Sequence, residues 1–413
     1  MNPLPGATLR KKYNFRTDIL DIIIGGKSTI DSPHPFQIFN LNETHLFIKS
    51  YGYDLDNPIE NAELFGNFHE AVSFIRKHFL KPENPNGLKL EIPRKILELT
   101  NIKDLFSMIG NISAPAQPEG MARTLQNWTC SILKVMHTIA HIDKDLRSSY
   151  FAEIQKQIFD RFYKSIHRDS EGKLFFGETE KDPLRVDLVA FETKPKKSRE
   201  SITLKLLHKP ENVAEDIFDR VGVRFITHTR LDALRVIKYL KEKMIIMAPN
   251  IKPSRSRNTL VPIDAFKSEL ETLLPELETG ALSEKKFIEK LERIPFSSAN
   301  ADNPHSSEHY KAIQFTCRQL IKLSNPLYAD LRDLKALVKN RSVDDDILKT
   351  IEKIDLKYTQ REIRFFYPFE VQVMDQKSAE ENEKGRSAHS EYKRSQVLTA
   401  MKRVMGALVD EAR

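Results

Sequence analysis

The sequence predicts an α+β fold in which a mixed β-sheet is flanked by helices and carries helical insertions. Three β-rich runs indicate the sheet: Val186–Phe191, Val221–Ile226 and Phe365–Val373. Helical patterns lie between the last two runs, near 262–295 and 317–358, and a long helix is predicted for Lys377–Ala412. The strands are therefore expected to belong to one mixed domain that has taken up insertions.

The N-terminal part of the chain predicts a separate domain of α/β or mostly helical type. Short strand-like runs at Phe36–Phe39 and His45–Ile48 alternate there with amphipathic helical stretches such as Phe68–Phe79. A segment rich in Pro, Ala and Gly follows, as is typical of a linker. We divide the chain into an N-terminal domain (1–112), a linker (113–120), a helical connector (121–170) and a sheet-containing domain (171–413).

Composition excludes several classes of protein. With 40% hydrophobic and 30% charged residues, the 413-residue chain is neither collagen-like, nor a coiled-coil rod, nor largely disordered. Two cysteines, Cys130 and Cys317, cannot form a disulfide framework or a four-thiolate zinc site. His137 and His141 lie four residues apart without a glutamate between them, which favours ordinary helix positions over a metal site.

Charge and hydropathy suggest the cellular setting. The apolar run at Leu20–Ile24 is too short for a membrane span and lacks the features of a signal peptide. We therefore expect a cytoplasmic protein with no membrane association. A net charge of +7 suits a protein that handles phosphates but does not demand nucleic acid.

Two segments have the residue types of phosphate and magnesium sites. In the first, Lys197, Ser201 and Lys205 are spaced by four, and a helix beginning at Ser201 would hold the hydroxyl and lysines near its N-terminus, where phosphate binds well. Ser201 is equally a good helix cap, and the lysines could equally be solvated. In the second, Asp219 begins an apolar strand, where its carboxylate could bind Mg²⁺ or cap a turn.

Two more segments near the C-terminus carry polar residues. Alternation puts Glu370 and Gln372 on one face of a strand, with apolar residues on the other. A glutamate in so apolar a strand faces either solvent or a site, and with Asp219 it could complete a two-carboxylate magnesium site. The following helix presents a polar face that is either part of a site or solvated: His389, Tyr392 and Lys393.

Taken in this order, the segments resemble the synthetase domain of the RelA/SpoT family, over about residues 186–400 without the two helical stretches. The family pattern Ala-Glu-x-Gly-x-Ala-Ala-His-Trp-x-Tyr-Lys is met at six positions: Glu383, Gly385, Ala388, His389, Tyr392 and Lys393. The family's Glu-x-Gln strand is met by Glu370 and Gln372. Its Gly-x-Arg strand, headed by an aspartate, is met by Asp219, Gly222 and Arg224.

The remaining family motifs are similar in part. The ATP-binding spacing is met at Lys197, Ser201 and Lys205, with Pro195 in place of an arginine. The family's basic strand is similar to the segment that contains two arginines, Arg255 and Arg257. The acceptor segment Gly-Tyr-x-Ser-x-His is similar to residues 309–314, which keep its tyrosine as Tyr310 and replace its final histidine by Gln314.

The resemblance implies a nucleotidyltransferase-like enzyme that transfers pyrophosphate from ATP to the 3′-hydroxyl of GDP or GTP, which is (p)ppGpp synthesis in the stringent response. It implies Mg²⁺ as cofactor, held by the catalytic pair Asp219 and Glu370. The implied ATP-binding residues are Lys197, Ser201, Lys205, Arg224, Arg255 and Arg257. Tyr310 and Gln314 would meet the acceptor, with support from Gln372, His389, Tyr392 and Lys393. Two alternatives stay open: a catalytically silent nucleotide-binding regulator, and a relative that pyrophosphorylates tRNA 3′ ends.

Overall fold

Apolar residues that recur every three or four positions form the helices of this chain. The structure, a computed structural model, describes residues 17–32, 41–110, 120–194, 198–209, 220–295, 310–339, 344–354, 360–384 and 389–411. The helices are α1 Thr17–Ile23, α2 Leu41–Tyr51, α3 Pro58–Phe79, α4 Arg94–Leu97, α5 Ile102–Gly110, α6 Met121–Asp143, α7 Leu146–Ser149, α8 Phe151–Tyr163, α9 Arg199–His208, α10 Arg230–Glu242, α11 Ile263–Glu278, α12 Glu284–Glu292, α13 Pro326–Lys339, α14 Asp345–Glu352, α15 Gln376–Lys384 and α16 His389–Glu411.

The chain divides into two units, and their boundaries differ from those expected at residues 112 and 170. The first unit comprises Met1–Ser149, Lys197–Ile217 and Ala388–Arg413, and the second comprises Tyr150–Lys196 and Phe218–Ser387. Helices α6, α9 and α16 therefore belong to the first unit. Residues 111–119, which contain most of the expected linker, lie outside the described residues, as does the strand-like run at Phe36–Phe39.

One run expected to be a strand is helical. His45–Ile48 lies inside α2, so that interpretation is wrong. Thr44 and Ile48 are both buried and are four residues apart, which is the spacing of one helix face. A run of four residues is too short for its composition to separate helix from strand.

Helix α6 lies at the centre of the first unit and is buried on most of its surface. It packs against α3, α5, α9 and α16 and contributes the large fully buried side chain of Trp128. Polar residues on this helix are buried as well, and their hydrogen bonds hold them there. Ser131 donates to the carbonyls of Asn127 at 2.9 Å and Val404 at 3.0 Å, as expected for buried hydroxyl groups.

The two histidines of α6 form an aromatic group with α2. The His137 and His141 rings lie 4.4 Å apart between centroids, and the Tyr51 hydroxyl is 2.7 Å from His137 Nδ1. Burial lowers the pKa of His137 to about 4, and the charge of His141 acts in the same direction. His137 is therefore neutral in the folded chain at pH 7.

We expect acid to destabilise the first unit through His137. Its folded-state pKa lies below its unfolded value, so the stabilisation is complete above about pH 6.5 and is lost as the pH falls towards 4. After allowing for the accessible part of the ring, we expect a loss of about 2 kcal/mol over this window. Urea unfolding at pH 7 and pH 4.5 measures it. A His137→Phe variant with the same pH dependence as the parent would contradict the assignment.

The strands form one mixed sheet, and all of them belong to the second unit. In the described residues they are β1 Ile166–Arg168, β2 Leu174–Phe176, β3 Val186–Thr193, β4 Gly222–Thr227, β5 Arg257–Asn258, β6 Ile313–Ser324 and β7 Glu362–Asp375. Their order is β1-β2-β3-β4-β7-β6-β5. All neighbours are antiparallel except β4 and β7, which run parallel. The predicted α+β class with a mixed sheet flanked by helices is confirmed.

Strand β6 corrects one of the expected helical insertions. The stretch 317–358 was predicted to be helical, but residues 313–324 form a strand that pairs with β7 along its whole length. Alternate residues of β6 are buried: Ile313, Phe315, Cys317, Ile321 and Leu323. This period of two is the signal of a strand with one buried face. Among the residues of this stretch that the structure describes, the helices α13 and α14 follow β6, whereas 262–295 contains α11 and α12 as expected.

Two further expectations concern the thiols and the membrane. Cys130 and Cys317 are both buried free thiols. None of the helices in the described ranges combines the length and the apolar character that crossing a membrane requires.

Candidate functional site

Polar side chains run in two rows across one face of the sheet. In the first row, the strand register places Glu192, Arg224, Gln372, Gln314 and Arg257 side by side on β3, β4, β7, β6 and β5. Paired residues of neighbouring strands lie on the same face of a sheet. Five strands thus contribute one polar residue each to a continuous line.

The second row lies one pleat away and centres on Glu370. Glu370 pairs with Gly222 of β4 on one side and with Thr316 of β6 on the other. Lys194, directly after β3, donates its backbone N–H to the Gly222 carbonyl at 2.8 Å and extends the row. The opposite face of these strands is apolar and buried, with Val223, Phe225, Phe315, Val371 and Val373 in the core.

Glu370 is buried, with 5% of its surface exposed, and both oxygens of its carboxylate are engaged. The Lys194 ammonium forms an ion pair with Oε2, and the Gln314 side-chain amide donates to Oε1. Gly222 leaves room for the lysine stem of this ion pair. A Cβ atom at that position would lie 2.8 Å from Cδ of Lys194, so any other residue would require the lysine stem to shift.

Arg224 links the first row to a tyrosine beside it. Its Nε donates to Gln372 Oε1 at 3.4 Å and its Nη1 to Glu192 Oε2 at 3.2 Å. Burial raises the pKa of the Tyr310 phenol, and the charge of Glu370 acts in the same direction, while Arg224 lowers it by its charge and by a hydrogen bond. The net effect is upward, so the Tyr310 hydroxyl stays protonated at neutral pH.

The backbone around Tyr310 is held by two polar side chains. Thr259 Oγ1 donates to the Tyr310 carbonyl at 2.7 Å. Asn382 of α15 accepts from the Lys311 N–H and donates to the Lys311 carbonyl, both at 3.0 Å. Bidentate amide contacts of this kind orient a segment as well as holding it. Tyr310 is thereby placed at the edge of the polar rows.

The structure brings together six of the predicted site residues on this face: Arg224, Arg257, Tyr310, Gln314, Glu370 and Gln372. Arg255 lies two residues before Arg257, in a short 3₁₀ turn at Pro253–Arg255. Asp219 and Lys197 lie outside the described residues. So do the side chains of His389 and Tyr392, whose backbone begins α16.

Three predicted residues whose side chains the structure describes belong to the first unit. Lys393 is exposed on α16, and Ser201 and Lys205 lie on α9. Helix α9 does not begin at Ser201 as expected, because Ser198 is its N-cap and accepts a hydrogen bond from the Ser201 N–H at 3.2 Å. The first turn of α9 is tied by ion pairs within this unit: Arg199 to Glu70 and Asp143, and Glu200 to Lys77.

Sequence reasoning missed three residues of the site. Lys194 follows the predicted strand Val186–Phe191. Its position beside Glu370 could be inferred only from the pairing of β3 with β4. Glu192 faces Arg224 for the same reason. Asn382 differs from the alanine of the family pattern, and that difference was the one available signal of its role.

Glu370 can supply one ligand to a magnesium ion. In the described part of the chain, no group of three or more His, Cys, Asp and Glu side chains is arranged to hold a metal. Mg²⁺ commonly takes one or two carboxylates and completes its shell with substrate phosphates and water. The described residues thus offer one carboxylate towards such a shell, and its two oxygens are engaged by the Lys194 ammonium and the Gln314 amide.

The site is thus defined by its own residues and not by any known relative. No protein-family model, curated protein or solved structure matches this chain.

Proposed function

We propose that this chain is a magnesium-dependent pyrophosphotransferase of the RelA/SpoT synthetase type, with a nucleotidyltransferase-like sheet. It would move pyrophosphate from ATP to the 3′-hydroxyl of a guanosine nucleotide, GDP or GTP. The observation that supports this most is the buried carboxylate of Glu370, flanked by Gln314 and Gln372 and lying near Arg224 and Tyr310 on one polar face.

Phosphoryl-type transfer depends on positioning and on neutralisation of charge, and the residues of this face are suited to both. Arg224 provides a guanidinium one pleat away from Glu370, and Lys194 provides an ammonium that is one-fifth exposed. Each can bind a phosphate oxygen. Magnesium, when bound, would neutralise the β- and γ-phosphates of ATP.

The acceptor side has a separate set of groups. The Tyr310 ring offers a surface on which a purine base can stack, and its protonated hydroxyl can donate a hydrogen bond. Gln314 already contacts the Glu370 carboxylate. An acceptor held by Tyr310 would therefore present its hydroxyl near Glu370, which can accept the proton as the hydroxyl attacks the β-phosphorus of ATP. The bond between the β-phosphorus and the bridging oxygen breaks, and AMP leaves.

A second candidate function is a catalytically silent nucleotide-binding regulator. The ion pair between Lys194 and Glu370 favours it, because a carboxylate whose two oxygens are both engaged is not available as a base or a ligand until one partner leaves. In this alternative, Arg224 and Tyr310 bind nucleotide while Glu370 has a structural part only.

An acceptor survey separates these possibilities. The full chain is incubated with Mg²⁺ and γ-labelled ATP, and GDP, GTP and bulk tRNA are supplied in separate reactions, each with a parallel reaction in EDTA. The γ-phosphate is the distal half of the transferred pyrophosphate, so its label reports transfer directly. We expect label on a guanosine nucleotide in the presence of Mg²⁺ only.

The other outcomes are equally informative. Label on tRNA 3′ ends alone would assign the chain to the translation-blocking kind of relative. ATP binding without transfer to any acceptor would favour the silent regulator. Absence of ATP binding at millimolar concentration would contradict the proposal and its alternative together.

A further inference from the structure

Strands β6 and β7 extend beyond β4 and β5 as a two-stranded ribbon. Their antiparallel pairing covers all 12 residues of β6 without a register shift. Strand β4, by contrast, pairs with β7 only from Glu370 onwards, and β5 contributes only 2 residues beside the start of β6. Side chains alternate between the two faces of a strand, so every second residue of the ribbon lies on the same face as Glu370.

An exposed strip lies on this face of the ribbon. Five residues form it: Arg318, Leu320, Lys322, Arg364 and Phe366. The strand register sets Leu320 directly opposite Phe366. It likewise sets Lys322 directly opposite Arg364. The other face of the ribbon is buried, since Ile321 and Leu323 belong to the hydrophobic core.

The strip presents an aromatic ring to solvent. Phe366 is 52% exposed, and its cross-strand partner Leu320 is 40% exposed. Side chains of a strand stand roughly perpendicular to the sheet, so the Leu320 side chain lies beside the ring and supports it. An apolar group bordered by charged residues is typical of a surface that binds a partner.

Positive charge lies on both sides of this apolar pair. Arg318 is one pleat away from Leu320 towards Glu370, and Lys322 is one pleat away in the other direction, each at about 7 Å along the strand. Both residues are exposed, and neither forms an ion pair with a carboxylate in the described ranges. Arg364 is paired with Glu362 at 2.6 Å. Arg318 and Lys322 therefore supply the net positive charge of the strip.

Hydrogen-bond acceptors lie at the far end of the strip. Ser324 and Glu362 are opposite each other in the register, and Ser324 is exposed. Arg364 donates from Nε and Nη2 to Oε2 of Glu362, at 3.0 and 2.6 Å, which leaves Oε1 able to accept. A ligand hydroxyl suits these acceptors, whereas the carboxylate would repel a phosphate placed beside it.

We propose that this strip binds single-stranded RNA. Arg318 and Lys322 neutralise backbone phosphates while a base stacks on Phe366, and these are the two contacts on which single-strand binding depends. Ser324 and Glu362 accept from a ribose 2′-hydroxyl, the group that distinguishes RNA from DNA. The proposal goes beyond pyrophosphate transfer, because the strip contains none of the residues assigned to that reaction.

Fluorescence anisotropy of the full chain tests the proposal. It is measured without ATP and Mg²⁺, so its result does not depend on pyrophosphate transfer. The probes are a fluorescein-labelled RNA of mixed sequence about 12 nucleotides long, the DNA strand of the same sequence, and the RNA annealed to its complement. We expect the single-stranded RNA to bind most tightly. Its log affinity should fall with log salt concentration with a slope of about −1.4, as two phosphate contacts require.

Variants separate stacking from charge. Phe366→Leu keeps an apolar side chain but removes the flat ring, and should weaken RNA binding roughly tenfold. Phe366→Tyr keeps the ring and should stay within about twofold of the parent chain. Arg318→Gln and Lys322→Gln should each reduce the magnitude of the salt slope by about 0.7.

Lys238→Gln is the matched control for charge. It removes an exposed lysine from α10, which packs on the opposite face of the sheet, and should change neither the affinity nor the salt slope. A melting curve of each variant checks that it is folded.

Several outcomes would overturn the proposal. Equal binding of the RNA and DNA strands would do so, as would tighter binding of the duplex. Unchanged affinity in Phe366→Leu would contradict it, and so would the absence of RNA binding at about 0.1 mM protein. A dimer of the parent chain that Phe366→Leu dissociates, with RNA binding retained, would assign the strip to a second copy of the chain and overturn the proposal as well.

Discussion

Glu370→Gln is expected to reduce pyrophosphate transfer by roughly 1,000-fold. The substitution keeps the size of the side chain and its contact with Gln314 but removes the negative charge. Without that charge, the side chain is a poor magnesium ligand and cannot accept a proton from the attacking hydroxyl. Initial rates with γ-labelled ATP and the acceptor identified by the survey measure the effect.

The chain offers a matched control on the same strand. Glu362 lies eight residues earlier on β7 and on the same face, but it is partly exposed at the far end and pairs with Arg364. Glu362→Gln should leave the rate within about twofold of the parent. Substantial activity in Glu370→Gln would show that Glu370 is not a catalytic residue. An equal loss of rate in Glu362→Gln would show that the loss comes from damage to strand β7 and not from the removal of a catalytic group.

Stability has to be separated from chemistry in this experiment. Glu370→Gln leaves the partly buried Lys194 without its counter-ion, which we expect to cost about 1–3 kcal/mol of unfolding free energy. Lys194→Met in the same chain removes the orphaned charge and should restore most of that loss. Transfer should remain absent in the double variant, because its missing carboxylate is not replaced. Recovery of transfer together with stability would mean that Glu370 has a structural part only.

Lys134→Met is expected to stabilise the first unit by about 3 kcal/mol at pH 7. Lys134 lies on α6 with 3% of its surface exposed, and its ammonium donates to the Arg403 carbonyl at 3.3 Å. Burial lowers the pKa of Lys134 from its usual 10.5 to about 8. A depression of this size corresponds to about 3 kcal/mol of cost for holding the charged form inside the fold.

The pH dependence identifies the group. The folded-state pKa is lower than the unfolded one, so the unfolded chain binds more protons between about pH 8 and pH 10.5. The stability of the parent chain should therefore rise through that window, while the cost is fully present below it. Lys134→Met should lack this rise.

Urea unfolding at pH 7 and pH 9.5 provides the measurement. Lys49→Met serves as control, since Lys49 is exposed on α2 of the same unit, and it should change stability by less than about 0.5 kcal/mol. Identical pH profiles for Lys134→Met and the parent chain would show that Lys134 does not carry this cost.

Features that depend on a local period of the residues can be predicted from this sequence alone. Alternation along Phe365–Val373 is enough to predict the strand that became β7 and to separate Glu370 and Gln372 from the apolar residues beside them. The same reasoning identifies Val221–Ile226 with β4. These predictions hold because the neighbours that matter are two to four residues away in the chain.

Two predictions were wrong about where a helix begins. In one, a strand pattern leads directly into a helix, and in the other, two residues are equally suitable as the helix cap. Residues 317–324 have an alternating pattern, but they lead directly into α13, and the expected helix was extended too far towards the N-terminus. Ser198 and Ser201 are equally good caps by composition, and the choice between them is made by where the backbone turns into α9.

The residues that contact one another across the sheet can be identified only from the folded chain. The parallel pairing of β4 with β7 sets Arg224 beside Gln372, and the antiparallel pairing of β3 with β4 brings Lys194 to Glu370 across 176 positions of sequence. Strand order and register follow from the burial of whole faces, a property summed over many side chains, and no short pattern encodes them. For that reason the sequence identifies Glu370 as a candidate that faces either solvent or a site, and only the folded sheet shows that it is buried and which residues are its partners.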